Sequence, residues 1–65
     1  MNFYNLALNI THDTIIDLCD QNFEQITIGN TPHVIAVAKD IGVIFCDIQD
    51  ITVNSNCLLV RIIVE

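Results

Sequence analysis

From residue 28 to residue 65 the chain reads I-G-N-T-P-H-V-I-A-V-A-K-D-I-G-V-I-F-C-D-I-Q-D-I-T-V-N-S-N-C-L-L-V-R-I-I-V-E. Ile and Val dominate it, cut by short polar punctuation. Runs of β-branched residues bounded by Gly, Asn, Asp and Pro are the signature of sheet. Val43 to Ile48 is almost wholly apolar, which predicts a strand covered on both faces that bends and continues to Val53. Asn54-Ser55-Asn56 reads as a turn. Cys57 to Val64 reads as a last strand, broken only by Arg61.

The segment 31–42 admits two readings. Thr31 as N-cap, Pro32 in the first turn, Val34, Val37, Ala38 and Ile41 on one face, and Gly42 as C-cap describe a helix. Val34, Ile35 and Val37 favour a strand, and the turns on either side fit a hairpin. The strand is preferred for 33–41 because its neighbours are sheet-like and consecutive strands usually pair.

Working outward, Phe23 to Ile28 alternates and predicts a strand that ends in the turn residues Gly29, Asn30, Thr31 and Pro32. Ile15, Ile16, Leu18, Cys19 and Phe23 fall at helical spacing behind the N-cap candidates around Thr11 and Thr14, so a short helix is expected over 13–21. Residues 2–10 alternate, with Tyr4, Leu6, Leu8 and Ile10 on one face. A strand is expected there, because three Asn residues argue against a helix. The expected fold is a single domain over 1–65 of β-rich α+β class, ordered β-α-β-β-β-β. It comprises one small antiparallel sheet or open barrel of four to five strands with one short helix.

At 65 residues and 7.3 kDa the chain is one domain at most. A monomer of this mass exposes roughly 4,200 Å². With 52% apolar residues, the interior has too little room for all of them. Leftover apolar surface marks contact with another chain, so a homo-oligomer, a dimer in the simplest case, is expected. The last strand is the natural interface, through Leu58, Val60, Ile62 and Val64, since a bare apolar edge strand aggregates.

Net charge is −6, from eight acids against Lys39 and Arg61, with no Lys or Arg before residue 39. Phosphate binding needs clustered cations, so direct nucleic-acid binding is disfavoured, as is an anionic membrane surface. A protein partner with a basic surface is the natural complement. Asp13, Asp17, Asp20 and Glu24 put four charges on a short stretch free of bases and are the candidate protein-binding residues.

No leader pattern and no apolar run of membrane-span length occurs, so a cytoplasmic protein is expected. Cys19, Cys46 and Cys57 then stay as thiols, the three being odd in number and widely spaced. They form no Cys-x-x-Cys or His-x₃-His pair with His33, so no metal is expected. His12 and His33 belong to no nucleophile motif, and Gly29 and Gly42 stand alone, without a phosphate loop. No enzyme activity and no cofactor are expected.

In size, charge and lack of catalytic motifs the chain resembles in kind the small acidic proteins with which phages inhibit host defence systems, anti-CRISPR proteins among them. That likeness implies an inhibitor or regulator of a host protein. Two alternatives remain: a small-molecule-binding oligomer using His33, Lys39 and Arg61 at subunit seams, and an antitoxin or assembly subunit.

Overall fold

Asn30 decides the topology. It ends one strand and caps the helix that follows, its side-chain oxygen accepting the His33 N–H at 2.9 Å. The computed structural model describes residues 1–11, 13–54 and 59–65. Along them run α1 (Phe3–Ala7), β1 (Ile15–Cys19), β2 (Gln25–Asn30), α2 (Thr31–Ile41), β3 (Ile48–Asn54) and β4 (Leu59–Val64).

The α+β class and the single small sheet stand as read from the sequence, while the order of elements is corrected to α-β-β-α-β-β. The segment 33–41 is helix, not strand. Pro32 sits in its first turn, and Gly42 ends it at φ 83°, its N–H donating to the Ala38 and Lys39 carbonyls. Both ends of the helix are thus satisfied locally, and the apolar stripe Thr31, Val34 and Ala38 is buried. Residues 2–10 hold a short helix, not a strand. Asn2 is its N-cap, accepting from Asn5 N–H at 2.9 Å, and Asn9 donates its side-chain amide to the Asn5 carbonyl. Asn residues that count against a helix interior therefore serve its ends. Residues 15–19 are strand, not helix, because Ile16 and Leu18 bury on one side while Ile15, Asp17 and Cys19 take the other.

The sheet is mixed rather than antiparallel, in the order β2-β1-β4-β3. Hairpins β1–β2 and β3–β4 are antiparallel, and β1 runs parallel to β4 with Asp17 opposite Arg61. The helix α2 leads from one edge strand, β2, to the other, β3. Both helices lie on one face, where Phe3, Ala7, Val34, Ala38 and Ile44 pack with Ile16, Leu18, Ile62 and Val64. Gly29 lets α2 approach closely: a Cβ there would sit 2.6 Å from the His33 ring. The segment ahead of β3 is stitched to the N-terminal residues by Phe3 N–H to Cys46 O at 2.9 Å and Tyr4 N–H to Ile44 O at 3.0 Å.

The cover that the last strand is expected to need is supplied within its own chain. Strands of the same chain flank it on both sides. Ile62 and Val64 are core residues and Val60 packs against that core. Their apolar character is satisfied within the chain. Leu58, Cys57, His12 and the turn residues Ser55 and Asn56 lie outside the described residues. The exposed surface is 4062 Å², close to the value expected for a monomer of this mass.

At Gly42 a side chain would meet nothing within 4 Å, so only the left-handed backbone matters there. Gly42→Ala is expected to lower stability by about 1 kcal/mol in urea denaturation. No change in the midpoint would show that the cap does not hold α2 in place.

Candidate surface at the acidic end of the sheet

The β1–β2 hairpin is built around Asp20. Its Oδ1 accepts the Asn22 N–H at 2.8 Å and the Glu24 N–H at 3.1 Å. Its backbone N–H donates to Glu24 O at 2.9 Å and its carbonyl accepts the Phe23 N–H at 3.0 Å. This is a tight turn closed by one residue in the left-handed region, a position that ordinarily takes Gly or Asn. Here it is Phe23, at φ 64°, with 69% of its surface exposed. A bulky side chain in that conformation is strained by about 1–2 kcal/mol. The ring gains nothing in return from the chain's own core.

The register places more charge beside it. Cys19 pairs with both Gln25 and Ile63, and Ile48 pairs with Val64. One residue further, Glu24 and Asp20 lie level with Val64 and Ile48, and Glu65 and Asp47 follow one step beyond, so the four acids sit at one end of the sheet as two cross-strand pairs. Glu65 N–H donates to Asp47 O at 3.0 Å, as Asp20 does to Glu24. Within each pair the strands are about 4.8 Å apart, and the two pairs are offset by about 3.3 Å along the strands. Phe45, 68% exposed, precedes Asp47 by two residues, its ring edge-to-face with Tyr4 at 5.6 Å.

The four acids expected to act together are thus divided. Asp20 and Glu24 sit at this end, and Asp13 lies exposed at the opposite end, before β1. Asp17 is mid-strand and 8% exposed. Its Oδ2 accepts the Arg61 Nε–H at 3.3 Å across the β1–β4 seam, on the sheet face away from the helices. Asp47 and Glu65 escape sequence reasoning, because nothing local says that residues 20, 24, 47 and 65 end neighbouring strands.

The cations do not converge either. Arg61 faces Asp17, while Lys39 and His33 occupy the last and first turns of α2 on the helix side. Among the described residues no group of three or more His, Cys, Asp or Glu side chains is placed to hold a metal ion, and no helix is long and apolar enough to cross a membrane. Cys19 is buried and its thiol donates to Asp17 Oδ1 at 3.5 Å. Burial first, and then the Asp17 charge, raise its pKa above the ordinary 9.0.

Replacing Phe23 by Asn, which tolerates the left-handed region, is expected to raise stability by about 0.5–1 kcal/mol, or several degrees in Tm. A fall in Tm would mean that the ring packs where it looks exposed. For the thiols, iodoacetamide at pH 8 is expected to modify Cys46 well before Cys19 in the folded protein, read by peptide mapping. Because the folded-state pKa of Cys19 is the higher one, its contribution to stability is present below pH 9.0 and declines as pH rises above it. Equal alkylation rates would contradict its burial. Comparison with protein-family models, with curated protein sequences and with solved structures returns no match, so the functional reading stands on this geometry.

Proposed function

We propose that this chain is a small, acidic, non-enzymatic protein-binding module of the cytoplasm. It works by laying the end of its sheet, with Asp20, Phe23, Glu24, Asp47 and Glu65, against a basic surface of a partner protein. Phe23 carries the reading. An aromatic ring held out in solvent, in a backbone conformation that disfavours it, has no role in the stability of this fold. Exposed aromatics ringed by charge are the kind of residue that anchors interfaces.

The cluster of carboxylates adds the partner's sign. Within each pair the charges stand on strands about 4.8 Å apart, of the order of the rise of about 3.4 Å per charge along a single nucleic-acid strand. A partner surface made to take a nucleic-acid backbone would suit it, with an apolar recess for the ring. In this reading the protein is an inhibitor or regulator that competes for such a surface. That matches its likeness in size and charge to the small inhibitors encoded by phages.

The test is affinity capture from a bacterial lysate at two salt concentrations, with three baits: wild type, Phe23→Ala and Asp20→Asn/Glu24→Gln. Asn at position 20 keeps the oxygen that organises the turn and removes its charge. The wild type is expected to retain a basic protein that a nucleic acid displaces. Phe23→Ala should lose at least tenfold in affinity, and the charge variant should lose most of the salt dependence. A partner retained equally by all three baits would sink the proposal.

A further inference from the structure

The helix layer carries a second apolar feature that the fold leaves unfilled. α2 buries Thr31, Val34 and Ala38 toward the sheet, and at the same helical spacing it presents Pro32, Ile35, Ala36 and Lys39 on another side. With Ala7 and Leu8 at the end of α1, these line an open groove of about 450 Å³, a size typical of ligand sites. Leu8 is 61% exposed there, and the groove is apolar apart from the ammonium of Lys39 and the hydroxyl of Thr31. That hydroxyl is already spent on the Thr11 carbonyl at 3.0 Å. Lys39 is one of two basic residues in a chain of net charge −6.

What the groove offers is the complement of what the hairpin tip presents. The tip has one exposed aromatic ring between two carboxylates, and the groove is an apolar cleft with one cation on its rim. We infer that the hairpin tip of one copy docks in the α1–α2 groove of a second copy, Phe23 entering the cleft while Asp20 or Glu24 meets Lys39. Tip and groove are different surfaces, so the contact is heterologous: each docked copy leaves one tip and one groove free, and the assembly grows as a chain instead of closing as a two-fold dimer. Whole copies repel one another through their net charge, which salt of about 0.15 M screens beyond roughly 8 Å, leaving the short-range contact to act. The inference rests on the reading of the tip as a contact element. Self-docking would keep Phe23 covered until a partner competes for it.

A heterologous contact allows a mixing experiment that an ordinary dimer would fail. Phe23→Asn removes the tip and keeps the groove, and Ala36→Glu blocks the groove at an exposed helical position and keeps the tip. Sedimentation at about 0.15 M salt is expected to show wild-type average mass rising with concentration past that of a dimer. Each variant alone should stay at 7.3 kDa, and an equal mixture should form a 1:1 pair. Methyl resonances of Leu8 and Ile35 should shift in the Phe23→Asn protein when Ala36→Glu is added. Circular dichroism and Tm confirm that both variants are folded before they are mixed.

A wild type that is monomeric at every concentration overturns the inference. So does a mixture that stays monomeric, or variants that still associate alone. If the wild type is monomeric while a captured basic protein still depends on Phe23, the proposed function survives and self-docking falls. If that protein also shifts the Leu8 and Ile35 methyls, the groove belongs to the partner, which likewise overturns self-docking.

Discussion

The parallel seam between β1 and β4 is the constraint on which the rest of this structure depends. Each hairpin alone is a two-stranded ribbon, and such ribbons are marginal in water. Joined along the seam, they form one sheet whose central strands bring Ile16, Leu18, Ile62 and Val64 under the helices. The seam pairs residues 44 apart in sequence, as Asp17 with Arg61. A parallel pair cannot be closed by a tight turn and needs a long crossover. The chain from β2 through α2 and β3 supplies it, so the caps of α2 at Asn30 and Gly42 are topological as well as local features. The Asp17–Arg61 pair marks the same seam. A carboxylate 8% exposed in the middle of a strand would be costly without a neighbouring cation, and Arg61 stands directly opposite.

That dependence explains which parts of the fold were legible in the sequence. The class, the strand over 25–28, the pairing of the last two strands and the apolar character of β4 are written in short-range pattern, and those are found. Residues 43–46, expected to open a strand covered on both faces, only lead into β3, which is itself largely exposed. The helix–strand choice at 31–41 was not decided by pattern, since Val34, Ile35 and Val37 suit a strand as well as a helix. The end residues held the answer: Asn30, Pro32 and Gly42 satisfy a helix's unpaired groups and have no comparable use in a hairpin. Sheet-like neighbours on both sides point to the wrong element here, and the caps to the right one. Residues 15–19 mislead for the opposite reason. Ile15, Ile16, Leu18 and Cys19 can be placed on a helical face, but they are strand because Leu59–Val64 lies alongside, and a partner so distant leaves no local trace. The same distance hid half of the acidic cluster: Asp20 and Glu24 are neighbours in sequence, while Asp47 and Glu65 join them only through strand order.

Phe23 is where local preference and fold disagree most plainly. Elsewhere residues suited to special positions occupy them: Gly42 in the left-handed C-cap, Asn2 and Asn30 at the helix starts, Asp20 under the hairpin. Consistency of this kind is what makes a sequence fold to one structure, and violations collect at functional positions. Asn22 is adjacent and would serve the left-handed position better, so the hairpin did not lack a suitable residue; it holds the aromatic at the one point where strain and exposure coincide.

The charges support the same conclusion by a different route. Acids kept only for solubility would be dispersed, since like charges gathered together repel and destabilise a small domain. Here Glu24 and Asp20, and one step further out Glu65 and Asp47, form two cross-strand pairs at the same end of the sheet, and neither Lys39 nor Arg61 is among them. The arrangement follows from the sheet itself. Each strand carries one acid at this end, within one residue of the same level, so negative charge gathers there beside Phe23 and Phe45. The proposed contact with a basic surface would cover the strained Phe23 and the four carboxylates together, so that one interface would relieve both the backbone strain and the self-repulsion gathered at this end.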